Sequence, residues 1–193
     1  MKMTIIQRCL VCGEPFIGAE RTDPCPYCGA PAKYIIFVEA WTQQQKGIKL
    51  SKLENLTDVE KKNLESALKL AVANAKFYKA VANYYSEDPE TYSIMKFTYR
   101  VEKEHVELIS KRLGIDMPPI TAEKGDALPT LKENIIEAKA REERTTRFYG
   151  FAASEATNPI IKMTFKALTE IKSGQIAIHS MILAINWPEK PLI

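Results

Sequence analysis

The chain carries four cysteines, set as two knuckles, Cys9-Leu10-Val11-Cys12-Gly13 and Cys25-Pro26-Tyr27-Cys28-Gly29, with twelve residues between them. A two-residue gap lets both sulfurs of a pair point at one ion, and the glycine after each second cysteine permits the positive-φ turn that swings backbone N–H groups toward the thiolates. Two such pairs at this distance read as a tetrahedral site for one metal ion. Two disulfides would need an oxidising compartment and have no use for knuckle glycines, and a redox Cys-x-x-Cys would not come duplicated. Iron and zinc both accept four thiolates, so the metal is iron or zinc.

A second constellation is Glu102-Lys103-Glu104-His105. Glu102 and His105 stand three apart, about 60° apart around a helix axis, so both can reach one ion from one face. The same residues also read as a solvated run of salt bridges, since Glu102, Lys103, Glu104 and Glu107 are all charged.

The elements that must carry these groups differ in period. Thr4-Ile5-Ile6 and Tyr34-Ile35-Ile36-Phe37-Val38 are β-branched or aromatic runs of strand length, and Pro15, Gly18, Asp23 and Pro24 between the knuckles read as loop chemistry. From about residue 57 the period becomes 3.6, with helices expected at about 57–86, 89–113, 129–155 and 158–185. Thr57 and Glu60 form a capping box for the first, whose stripe is Leu64, Ala67, Leu68, Ala71, Ala75, Tyr78 and Ala82. The second carries Tyr92, Met95, Phe97, Tyr99, Val101, Leu108 and Ile109 and stops at Gly114. Short turns at Asp88-Pro89 and Asn158-Pro159 flank one long, proline-rich connection from Gly114 to Gly125. Two helical hairpins joined by a crossover make the ferritin-like four-helix bundle. The expected organisation is a β-rich metal module over 1–38, a linker over 39–56 in which Trp41 anchors the two parts, and the bundle over 57–193.

The hairpins read as copies. Phe77-Tyr78 in the first helix parallels Phe148-Tyr149 in the third, and carrying that register on, with one residue deleted in the turn, sets Glu102 against Lys172 and His105 against Gln175. The knuckles with their spacing, the bundle topology and the Glu-x-x-His pair resemble the rubrerythrins. A metal module ahead of the bundle resembles the reversed members of that family, with a rubredoxin-like part followed by a ferritin-like part. The resemblance implies a di-iron centre in the bundle, reduction of hydrogen peroxide, and electrons relayed from the four-cysteine iron. It implies six bundle ligands. Glu102, His105 and Glu142 match. Ala71, Lys172 and Gln175 stand where a glutamate, a glutamate and a histidine are expected. Two carboxylates and an ammonium replace four carboxylates, so the bundle is expected to hold no di-iron centre, the lysine taking the place of an ion. A shifted single-metal site from Glu102, His105, Glu142 and His179 is an alternative, against His179 as a mere helix-end residue. Glu142-Glu143 with Arg141, Arg144 and Arg147 also reads as a solvated charge run. Phe77, Tyr78, Tyr84, Tyr85, Tyr92, Phe97, Tyr99, Phe148, Tyr149 and Phe151 are expected mostly in or at the edge of the core.

Composition narrows the function classes. The chain has 193 residues, 46% hydrophobic and 26% charged, with a formal charge of +3, too small for a nucleic-acid surface. In the knuckle region Arg8, Arg21 and Lys33 are balanced by Glu14, Glu20 and Asp23. No apolar signal core and no span long enough for a membrane is present, so a cytoplasmic location with reduced thiols is expected. Two functions follow: a redox protein or scaffold with one tetrathiolate centre, or an active non-haem iron peroxidase. A homodimer with one chain's knuckle module against the other's bundle is what the resemblance implies, together with a redox partner protein.

Overall fold

In the computed structural model, which describes residues 5–18, 23–37 and 53–188, β1 (Ile5–Cys9) is the centre of a small antiparallel sheet. It pairs with β2 (Pro15–Gly18) on one side and β3 (Ile35–Phe37) on the other, in the order β2-β1-β3. β2 corrects the sequence expectation, which made Pro15 and Gly18 loop residues. Pro15 opens an edge strand opposite Arg8, the place in a sheet where its missing N–H costs least. Tyr34, expected in the third strand, closes a short 3-10 turn, Ala32–Tyr34, that feeds β3. The expected linker with Trp41 lies outside the described residues up to residue 52.

Four helices follow: α1 (Asp58–Tyr84), α2 (Pro89–Leu113), α3 (Leu131–Glu155) and α4 (Pro159–Asn186). α1 packs along α2 and α3 along α4, and α1 meets α3 across the middle. The caps repeat between the hairpins. Thr57 with Glu60 and Thr130 with Glu133 are both complete capping boxes. Asp88 and Asn158 each cap the following helix, whose first residue is proline. All seven residues of the expected α1 stripe are buried. Three of the aromatics are not: Tyr84, Phe97 and Phe151 are exposed. Phe97 lies two residues past the buried Met95, about 200° round the helix, and so faces out.

Glu60 ties the two hairpins together. One of its oxygens accepts from the Thr57 N–H and hydroxyl, at 3.0 Å each; the other accepts from Thr157 N, Thr157 Oγ1 and Asn158 N at 2.9, 3.1 and 2.7 Å. Burial pushes this carboxyl up, but the N–H donors of Asn158 and Thr57 outweigh it and hold the group at about 2. The folded-state value is depressed, so the stability it contributes is complete above the ordinary carboxylate value of 4.5 and is lost as the pH falls toward 2. Glu60→Gln is expected to cost about 2 kcal/mol in urea unfolding at pH 7, with the difference from wild type shrinking in acid. A difference unchanged from pH 7 to pH 3 would show that the charge is not what holds this turn.

Candidate metal centre

β1 and the turn after it deliver Cys9 and Cys12; the turn before the 3-10 segment delivers Cys25 and Cys28. The two turns are built alike. Gly13 and Gly29 sit at φ 80° and 75°, and each N–H bonds back to the carbonyl of the first cysteine of its knuckle at 2.9 Å. Val11 N–H points at Cys9 Sγ at 3.3 Å. All four sulfurs are buried and lie within 4.8 Å of one another, and Cys9–Cys28 and Cys12–Cys25 are 3.7 Å apart. A tetrahedron with metal–sulfur bonds of about 2.3 Å has edges of about 3.8 Å, so the donor set fits one tetrahedral ion. Without a cation, sulfur–sulfur hydrogen bonding pushes the Cys12 and Cys28 thiols up and pulls Cys9 and Cys25 down. Only a cation holds all four ionised at this spacing, so metal uptake releases protons. The metal-binding capacity of these four residues is what the sequence predicts.

The knuckles dock on α2 and α4. A Cβ on Gly29 would stand 3.4 Å from Ile171 and 3.9 Å from Val101, and Lys33 pairs with Glu170 at 2.6 Å. His105 Nε2 lies 3.1 Å from the Cys28 carbonyl. A carbonyl can only accept, so Nε2 carries the hydrogen. Its Nδ1 faces Glu102 Oε2 at 3.7 Å.

Behind His105, the side chains expected to be ligands or their replacements come together around an ammonium. Lys172 is fully buried, contacts Glu102 Oε1, and lies 2.7 Å from Glu142 Oε2. Gln175 Nε2 reaches Glu102 Oε1 at 3.4 Å. Glu142 Oε1 accepts from the Tyr78 hydroxyl at 2.5 Å, and Tyr78 Oη is 3.0 Å from His179 Nε2. A buried polar chain thus runs from the Cys28 carbonyl through His105, Glu102, Lys172, Glu142 and Tyr78 to His179.

The electrostatics divide the carboxylates. Burial pushes Glu102 up, but Lys172 and His105 outweigh it and hold it at about 2. Glu142 ends above the ordinary range, because burial and the Glu102 charge outweigh Lys172. Burial pushes Lys172 down, but the two carboxylates outweigh it, so the amine is ionised. Burial and the Lys172 charge pull His179 down to about 4. It is neutral at pH 7, which lets its Nε2–H donate to the Tyr78 oxygen while Tyr78 donates to Glu142.

His179 is therefore not a bare helix-end residue, and Tyr78 stands between it and Glu142. Glu142 is likewise buried rather than part of a solvated run; the surface pairs are Arg141 and Arg144 with Glu137. Sequence reasoning placed Tyr78 in the core stripe but missed its bond to Glu142. The repeat carried the signal: Tyr78 meets the glutamate seven residues before Tyr149, and Tyr149 has Ala71 at the matching place, seven residues before Tyr78. The Tyr149 hydroxyl is buried without a hydrogen-bond partner, as an alanine there would leave it. Among the described residues, the four cysteines are the one group with three or more ligand atoms within 4.8 Å of one another, and no helix is long and apolar enough to cross a membrane. No protein-family model and no curated protein matches this sequence.

Proposed function

We propose that this protein is a rubrerythrin-like metal protein with one metal centre, the tetrathiolate of Cys9, Cys12, Cys25 and Cys28, on a bundle in which an ion triad stands in place of a di-iron site. The observation that carries this reading is the Lys172 ammonium between Glu102 and Glu142. An ammonium at that place repels a cation and already neutralises one of the two carboxylates. Iron in the tetrathiolate supplies one-electron transfer to a partner protein; zinc supplies a cross-link and makes the chain a scaffold. The Val11 N–H donates toward Cys9 Sγ, the glycine N–H groups close each knuckle onto its first cysteine's carbonyl, and His105 fixes Cys28 against the bundle. The His105 contact with the Cys28 carbonyl is also what a second reading, a peroxide-reducing di-iron enzyme, would use to join two centres. That reading needs Lys172 to leave.

Metal analysis with a visible spectrum separates these. About one ion per chain is expected; about three per chain would overturn the single-centre reading. Red protein bleached by dithionite assigns iron and electron transfer, and colourless protein with zinc assigns the scaffold. Peroxide turnover by iron-loaded protein would reinstate the enzyme.

A further inference from the structure

The α3–α4 hairpin carries an open groove of about 690 Å³ at the end where α3 begins and α4 stops. α3 lines it with Lys132, Ile136 and Lys139, one helix face in steps of four and three, and α4 lines it with Ser180, Leu183 and Trp187. Ile136, 48% exposed, and the half-buried Leu183 and Trp187 are its apolar part. The two lysines stand about 10 Å apart along the axis of α3 and bound that part. Among the described residues no acid lines the groove. Lys132 is the second residue of α3, in the turn where the helix dipole favours an acid, and Lys139 reaches Glu143 only at 3.8 Å.

The duplication shows what covers such a groove. In the register that sets Tyr78 against Tyr149 and Glu102 against Lys172, Lys132, Ile136, Leu183 and Ala184 match Lys61, Glu65, Leu113 and Gly114. These four line a cavity of about 580 Å³ at the same place in the first hairpin. There the chain itself supplies a wall, Leu53-Glu54-Asn55-Leu56, just ahead of α1. Leu53 and Leu56 pack against the bundle core, the Leu53 N–H donates to the Arg112 carbonyl at 3.2 Å, and Glu54 adds an acid to a lining that includes Lys61. The segment ahead of α3 does not repeat this. Gly125, Asp126 and Leu128 line a different cavity, against Ala73 and Lys76 of α1, and leave the α3–α4 groove open.

We propose that the α3–α4 groove binds an extended peptide segment of a partner protein, with two apolar side chains spaced as Leu53 and Leu56 are and acids that meet Lys132 and Lys139. An extended segment is what covers the matching groove of the first hairpin. The differences between the two grooves set the sign of the charge. Ile136 in place of Glu65 removes the helix-borne acid, and Lys139 in place of Leu68 adds a second cation, so this copy selects a segment of opposite sign. Its apolar centre and charged rim are the anatomy of a recognition site. Among the described residues, the chain's own segment of this kind is Leu53–Leu56, already engaged on the first hairpin, so the occupant comes from another protein.

The groove lies further along α4 than the knuckle contact at Ile171, so the proposal does not depend on which metal the knuckles hold. The probe is the end-blocked peptide Asp-Leu-Glu-Asn-Leu-Asp, titrated by calorimetry into the full, metal-loaded chain. It is expected to bind, less tightly as salt is added. The same peptide with lysines for its acids, or with alanines for its leucines, is expected not to bind. Lys132→Glu and Ile136→Lys are each expected to weaken binding about tenfold with the helical circular dichroism unchanged, while Lys61→Glu, at the matching place in the first hairpin, leaves it as in wild type. No binding, equal binding of the lysine peptide, or an affinity unmoved by Lys132→Glu would each overturn the proposal. So would binding seen only in Leu192→Asp, which gives the groove to the chain's own residues 189–193, or self-association of the wild type that Lys132→Glu abolishes, which gives it to a second copy.

Discussion

Replacing Lys172 by alanine is expected to cost the bundle about 3–5 kcal/mol at neutral pH, the usual penalty for removing one partner of a buried ion pair. Two carboxylates then face each other at full burial, with the Tyr78 hydroxyl on Glu142, and the Gln175 amide and His105 beside Glu102, as their remaining polar neighbours. The sign of the pH dependence follows. In the variant Glu142, already above its unfolded value near 4.5, loses the cation that pulls it down and rises further, so there the native state holds more protons than the unfolded one, and stability falls as the pH rises through that window. The deficit relative to wild type is therefore largest near pH 8 and narrows toward pH 5. Wild type has the opposite slope at Glu102, whose carboxylate is held at about 2 and contributes stability that is lost only in acid.

The same variant separates a cation-excluding lysine from a merely structural one. With the ammonium gone, Glu102, His105 and Glu142 have charge and space for a divalent ion, and manganese or cobalt is expected to raise the melting temperature of Lys172→Ala and leave the wild-type bundle unmoved. A neutral replacement, Glu102→Gln with Glu142→Gln and Lys172→Met, removes the buried charge on both sides and is expected to recover most of the lost stability without any response to metal. If Lys172→Ala melts within 1 kcal/mol of wild type at pH 8, the triad carries no net charge and the account of the ammonium fails.

Local chemistry explains which parts were legible. The helix ends were, because their signals are contiguous: Thr57 with Glu60, Asp88 with Pro89 and Asn158 with Pro159 each cap a helix within a few residues of where the expected bounds stood. The cysteine cluster was, because four thiols at knuckle spacing admit few arrangements. β2 was not, since Pro15 and Gly18 look like a loop until Arg8 and Ile5 are seen pairing with them. His179 was misjudged for a related reason. Whether a histidine near a helix end is buried depends on what stands across the bundle, and its partner Tyr78 is 101 residues away. Phe97 and Phe151 are among the exceptions to a mostly buried aromatic set, because helix phase rather than aromatic character decides which side a residue faces. The Lys172 site was reached from sequence through the repeat, which converts a distant contact into a comparison of two local segments.

Stripping the ion from the four cysteines, by chelator or by Cys12→Ser, is expected to unfold the knuckle region and leave α1–α4 folded. The region has little else to hold it: strands of five, four and three residues, and a buried set of Val11, Ala30 and Ile35 around the cysteines. So small a core cannot offset the ordering of more than thirty residues, whereas a structural metal contributes about 10–16 kcal/mol of binding energy at pH 7. Hydrogen exchange reads the result directly. Amides bonded across the knuckles, Gly13 to Cys9, Gly29 to Cys25 and Cys25 to Ala30, are expected to lose protection in the stripped protein, while the helical circular dichroism stays. The docking contacts go with them, so the His105 ring, released from the Cys28 carbonyl, is expected to shift in NMR spectra along with the neighbouring Val101 and Ile171 methyls. Because each thiol must lose its proton to bind, the metal is held less tightly as the pH falls, and the chelator concentration needed for half-release drops in the same direction. Knuckle amides that remain protected after complete metal removal would show that the sheet and its contacts with α2 and α4 suffice, and that the ion is held by a structure already made.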